Sequence, residues 1–239
     1  MALASEAVAS RETLRASVLR DWSLVERNAI DADRFFWTPG RLLAAGTVVQ
    51  PSGGQTITEE EGELIVVPTS AIAVEDMACV LWPRTITVGQ KWRATIRLQR
   101  SSQFYLMGAV LLTDGTDPTA NVVAAMGYIN QGVNQVCCAA RHGTLTSLAT
   151  SASESCGVQF LDQSVRHEMT YEVEYSAADT YAFRWYGYGR FGSTATVLFS
   201  AVGVAKALTP THVGIGWTTW GAGATGDPLL TAGPLYRAA

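Results

Sequence analysis

Glu172-Val173-Glu174 sets two carboxylates two residues apart, and residues at that spacing share one face of a β-strand. Two carboxylates about 5 Å apart are what a retaining glycoside hydrolase needs, one as nucleophile and one as proton donor. The plainer expectation for Glu172 and Glu174 is a pair of charges on a wet strand face, where the loss of either changes no activity. A second acidic run, Glu59-Glu60-Glu61-Gly62-Glu63, has no apolar frame and is predicted to be a turn. Nucleophilic chemistry has less to work with. There is no G-x-S-x-G elbow, and the three histidines lack a motif. His142 stands beside Gly143 at a predicted hairpin, His167 precedes a strand and His212 begins one. The glycine-rich stretch Gly221–Gly226 runs into Asp227-Pro228, not into the lysine and helix of a phosphate loop. No catalytic residue is predicted, and the chain is expected not to be an enzyme.

The sequence holds four cysteines, Cys79, Cys137, Cys138 and Cys156, with no C-x-x-C pair to suggest zinc. Their expected role is that of small buried hydrophobes. Cys137 and Cys138 are adjacent on a predicted strand and so point to opposite sides. A bridge from either to Cys156 stays open for an oxidising setting. Asp114-Gly115-Thr116-Asp117, with Glu75-Asp76 or Asp227, offers the hard oxygens that calcium takes, but Asp and Gly are also ordinary turn formers. Neither a metal nor a cofactor is predicted.

Aromatic residues are the better functional signal. Tyr181, Phe183 and Trp185 share one strand face and belong to a core. Tyr186, Tyr188 and Phe191 then continue into a glycine-punctuated loop, while Trp217 and Trp220 bracket the entry to another. Exposed rings suit the apolar face of a sugar, and they also suit protein interfaces. Tyr186, Tyr188 and Trp220 are therefore the candidate ligand-binding residues, with core or loop packing as the competing role.

The elements that must position these groups are legible as alternation. In Trp92–Gln99, the residues Trp92, Ala94, Ile96 and Leu98 fall on one face, and Arg93, Thr95, Arg97 and Gln99 on the other. The same period of two runs through Thr170–Tyr175, Tyr181–Tyr186 and His212–Trp217, predicting strands with one dry and one wet face. Trp92, Ile96, Leu98, Tyr171, Val173, Phe183, Trp185, Val213 and Ile215 are the predicted core. Arg93, Arg97, Glu172 and Glu174 are predicted to be exposed. About a dozen strands are expected between Arg41 and Arg237, separated by turns such as Pro51–Gly54, Asp114–Pro118, Ala177–Asp179 and Gly221–Pro228. That pattern predicts an all-β antiparallel sandwich as one domain over residues 31–239.

Composition bounds the partners. The 239 residues are 48% hydrophobic and 16% charged, with a net charge of −4 and scattered basic residues. No basic stripe points to nucleic acid, and no apolar run approaches the roughly 18 residues of a membrane span. The start carries Glu6 and no basic leader, so no secretory signal is predicted. Residues 1–30 differ in texture from the rest. Up to Arg27 they lack glycine and proline and favour helix, and Leu3, Ala7, Leu14, Val18, Trp22 and Val25 form one apolar stripe. A lone helix is marginal in water, so the stripe must pack on the sandwich, on sister copies or on another protein. The expectation adopted is an anchor or oligomerisation segment.

The strand order resembles the concanavalin A-like jelly-roll family of lectins, laminin-G-like modules and laminarinase-type glucanases. The resemblance rests on the strand Gln90–Gln99 and its neighbour Phe104–Thr113 ending in an Asp-Gly loop. It rests also on Arg166–Tyr175 turning into Tyr181–Tyr186, and on the closing Pro210-Thr-His-Val-Gly-Ile-Gly-Trp217. It implies two curved antiparallel sheets with a concave face that often holds glycans. The glucanases of that family carry E-x-D-x-x-E on one strand. Glu172-Val-Glu174 begins that pattern, but position 177 is Ala. The layout, a short N-terminal helix before one jelly-roll, also resembles bacteriophage tail fibres, head fibres and decoration proteins. That resemblance implies a virion structural or adhesion protein, a homo-oligomer with a trimer favoured. Its N-terminus would meet other virion proteins and its body could meet a host-surface polysaccharide. The alternative is a glycan-acting enzyme or a carbohydrate-binding module.

Overall fold

The computed structural model describes residues 42–51, 55–60, 63–68, 76–99, 105–130, 135–159, 166–187, 196–220 and 230–238. The predicted N-terminal helix, with Leu3, Ala7, Leu14, Val18, Trp22 and Val25, lies outside these residues. Fourteen strands and one short helix are described. The helix is α1 (Leu42–Ala45). The strands are β1 (Thr47–Val49), β2 (Gln55–Glu60), β3 (Glu63–Pro68), β4 (Ala78–Pro83), β5 (Lys91–Gln99), β6 (Tyr105–Thr113) and β7 (Asn121–Asn130). Then come β8 (Gln135–Thr144), β9 (Ser147–Gln159), β10 (Arg166–Ala177), β11 (Thr180–Gly187), β12 (Thr196–Ala205), β13 (His212–Trp220) and β14 (Leu230–Ala238). They form two seven-stranded sheets, β1-β4-β13-β6-β7-β8-β9 and β12-β11-β10-β5-β14-β3-β2. Every pairing is antiparallel. The all-β jelly-roll sandwich expected from the sequence is the observed fold.

The two sheets are built from strands of different character. In the second sheet, β5, β10 and β11 alternate as expected: Trp92, Ala94, Ile96, Tyr171, Val173, Phe183 and Trp185 are buried against the first sheet. In the first sheet, four strands are buried on both sides. All of Ala78–Trp82, Met107–Thr113, Val122–Gly127 and Val213–Thr218 are enclosed, and β4, β6 and β7 read as continuous apolar runs, as strands covered on two faces do. Its side away from the second sheet carries one apolar cluster that includes Met77, Cys79, Leu81, Met107, Leu111, Ala124 and Met126.

This corrects the sequence reading of β13. Val213 and Ile215 are buried as predicted, but the alternate positions are not wet. Gly214 and Gly216 are glycines because leucine and methionine side chains lie over them. A Cβ at Gly216 would fall 2.6 Å from Leu111 Cδ2 and 2.6 Å from Met77 Sδ. Two further expectations change. The strand texture predicted from Arg41 onward begins instead with a helix over Leu42–Ala45. The acidic run predicted as a turn is only partly one: Glu59 and Glu60 close β2, and Glu63 opens β3 opposite Glu60. Glu59 Oε2 accepts the Leu42 N–H at 2.8 Å, capping α1, and Trp82 Nε1 donates to the Leu42 carbonyl at 3.0 Å. Thus α1 joins β2 of one sheet to β4 of the other.

Across the core, Trp185 of β11 donates its indole N–H to the Met126 carbonyl of β7 at 2.9 Å. The Tyr171 ring occupies the space that a Cβ at Gly127 would need. Replacing Phe183 with Ala is expected to cost about 3–5 kcal/mol. Gly127→Ala is expected to cost about 1–3 kcal/mol by overpacking against Tyr171. Urea unfolding of the two variants measures both.

Candidate functional site

The outer face of the second sheet gathers the polar residues. Register sets them in rows: Lys91 opposite Glu174 and Ala182, Arg93 opposite Glu172 and Arg184, and Thr95 opposite Thr170 and Tyr186. Glu172 lies at the centre of this patch. The sequence reading made it an exposed carboxylate, and the structure overturns that: its side chain is 0% exposed. Arg93 Nε donates to Glu172 Oε2 from one flanking strand, and Arg184 Nη1 donates to Oε1 at 2.6 Å from the other. The Tyr186 hydroxyl donates to Oε2 at 3.3 Å. Alternation alone could not reveal this burial, because long arginine side chains fold over a shorter neighbour and take it out of water.

The surroundings follow from the same contacts. Arg184 Nη1 also meets Glu174 Oε2 at 2.6 Å. Burial draws the Arg184 guanidinium down, but its hydrogen bonds to Glu174 and Glu172 outweigh this and hold it above its ordinary range. Arg93 lies over the Tyr186 ring, 5.0 Å from its centroid, and its Nη2 meets the Tyr186 hydroxyl at 3.3 Å. Burial, then the Glu172 charge, pushes the Tyr186 phenol up, with Arg93 and Arg184 opposing. The Thr95 and Thr170 hydroxyls hydrogen-bond each other at 3.0 Å, and Arg97 pairs with Glu63 at 2.6 Å.

Both carboxylates thus pair with guanidinium groups, Glu172 through both oxygens and Glu174 through Oε2. A retaining hydrolase needs one carboxyl free to attack and a second holding a proton. Glu172 has two cations against it and no access to solvent, and Glu174 shares Arg184 with it.

The other candidates fall elsewhere. Tyr188 lies outside the described residues. Trp220 is the last residue of β13, at the far end of that strand from His212. Asp114 is a loop clamp: its carboxylate accepts the Asn121 backbone N–H at 2.8 Å and the Asn121 side-chain amide at 2.7 Å. The Asp117 carbonyl accepts the Ala120 N–H at 2.9 Å, a turn bond. Cys79 and Cys138 are buried, and neither is in a disulfide. Burial pushes the Cys79 thiol well above its ordinary range. His212 Nδ1 lies 2.8 Å from the hydroxyl of neighbouring Thr211, and burial lowers its pKa.

Glu172→Gln is expected to cost roughly 3–5 kcal/mol, because it strands two guanidinium groups whose counter-charge has gone. Chemical denaturation monitored by tryptophan fluorescence measures it. A loss within about 0.5 kcal/mol, as for an ordinary surface site, would contradict the burial described.

No protein-family model matches the sequence, and no curated protein sequence does. Solved structures share the fold. A legume lectin-like domain from Entamoeba histolytica superimposes with a TM-score of 0.54 at 11% identity, over 88% of this chain and 98% of that one. The winged bean acidic lectin, complexed with methyl-α-D-galactose, gives 0.50 at 12% identity, over 86% of this chain and 94% of the lectin. At such identities the likeness is one of fold, and the fold is the concanavalin A-like jelly-roll of the lectins.

Proposed function

We propose that this chain is a non-catalytic jelly-roll module that recognises glycan. The observation that carries the reading is the state of its paired carboxylates. Glu172 and Glu174, the residues with glycosidase spacing, are held by Arg93 and Arg184. Among the described residues, the far side of the first sheet carries an apolar cluster of leucine, methionine, alanine, valine and one cysteine. The lectin-like fold supports glycan recognition as an analogy only, since one fold hosts many functions. A panel of immobilised neutral and acidic polysaccharides tests the proposal. Retention of the protein without release of new reducing ends is expected. Reducing ends that accumulate with the wild type and vanish in Glu174→Gln would overturn it, as would no retention on any polysaccharide.

A finer reading makes the module a displayed part of a virus particle, of fibre or decoration type. It rests on the sequence of residues 1–30, where Leu3, Ala7, Leu14, Val18, Trp22 and Val25 make an apolar stripe ahead of the sandwich. Solvating that stripe would gain nothing, so the reading assigns it to attachment, with sister copies or with a larger particle. Light scattering of the chain with and without residues 1–30 tests this. The shortened protein is expected to stay folded and to fall to a smaller assembly. An unchanged mass, or an unfolded body, would remove the anchor from the account.

A further inference from the structure

The polar patch contains a donor and an acceptor that the fold leaves unspent beside each other. Arg184 uses only Nη1, which serves both Glu172 and Glu174. Its Nε and Nη2 make no hydrogen bond among the described residues, and its side chain is 28% exposed. Glu174 engages Arg184 through Oε2 alone, so Oε1 is open, with the side chain 16% exposed. A guanidinium only donates and a carboxylate only accepts. The ion pair between them holds both in fixed positions, so a ligand that meets them gives up little ordering entropy on the protein side.

We infer that Arg184 and Glu174, with Tyr186 beside them, form a subsite for a neutral saccharide, read through two adjacent hydroxyl groups. This rests on the glycan-binding reading and names the class of sugar. A hydroxyl both donates and accepts. One sugar oxygen accepts from Arg184 while its neighbour donates to Glu174, and both bonds are charge-assisted. A carboxylate or sulfate would satisfy Arg184 but face Glu174, and an ammonium would do the reverse, so the pair selects against charge of either sign. Around it the charges nearly cancel: Arg93 and Arg184 balance Glu172 and Glu174, with Lys91 at the corner of the patch, opposite Glu174 in register. Tyr186 follows Arg184 by two residues on the same face of β11, about 7 Å along the strand, the reach of one sugar ring. Its own ring is fixed by Arg93 and by the hydroxyl bond to Glu172, which suits it to hold the apolar face of that sugar.

The test is calorimetric titration of the full chain with methyl-α-D-galactoside, methyl-α-D-glucoside and methyl-α-D-mannoside, and with galacturonate and glucuronate. At least one neutral hexoside is expected to bind at least tenfold more tightly than either uronate. Glu174→Gln is expected to weaken it by roughly tenfold or more, the loss of one charge-assisted bond. Glu63→Gln, which breaks the separate pair with Arg97, is expected to leave affinity unchanged. Unfolding curves of Glu174→Gln matching the wild type keep a binding loss from being a folding loss. Should a hexoside bind wild type and Glu174→Gln equally, or a uronate bind more tightly, the subsite is overturned while the glycan reading stands. Should no saccharide bind wild type, here or on the immobilised polysaccharides, both fall together.

Discussion

A carboxylate with no contact with water, on the outer side of a sheet, is the constraint from which much of this structure follows. Glu172 can be buried as an ion only because Arg93 and Arg184 reach it from the two flanking strands. An unpartnered charge in that position would cost several kcal/mol. The contact exists in one alignment of β5, β10 and β11, the one that sets Arg93, Glu172 and Arg184 in a row. A slip of one residue would send those three side chains into the core and bring Trp92, Val173 and Phe183 into water. The apolar row and the charged row therefore specify the same register from opposite sides.

The asymmetry between the sheets then decides where function can reside. In the first sheet β4, β6, β7 and β13 are enclosed on both faces along most of their length, with glycines at 214 and 216 so that Leu81, Leu111 and Met77 can close over them. The second sheet gathers guanidinium, carboxylate, hydroxyl and phenol groups on its outer face, where Arg93, Glu174, Arg184 and Tyr186 are partly exposed while Thr170, Glu172 and Ala182 are buried. The sheet edges are guarded by differing means. β1 is three residues long, β2 ends in Glu59-Glu60, and the pairings of β9 and β12 carry register shifts that break a continuous edge.

Alternation made much of this visible in the sequence. β5, β10 and β11 were readable because each has a wet face, and Trp92, Ile96, Tyr171, Val173, Phe183 and Trp185 are buried as their spacing predicted. Failures occurred where long-range contact overrides local pattern. α1 exists through a cap from Glu59, seventeen residues away. The polar-looking positions of β13 are glycines under leucines. β9, rich in serine and alanine, carries little apolar signal. At the site, Tyr186 was legible as an aromatic leaving a strand. Arg93 and Arg184 as partners of one buried carboxylate were not, since their sequence separations from Glu172, 79 and 12 residues, carry no mark in the chain.

Glu172 and Arg93 acting as one unit is the claim on which register, patch and functional reading all depend. A double-mutant cycle on stability, combining Arg93→Gln with Glu172→Gln, measures that coupling directly. The account predicts an interaction energy above about 1 kcal/mol, the second substitution costing far less once the first is made. Costs that add to within about 0.5 kcal/mol, as for independent sites, would contradict it.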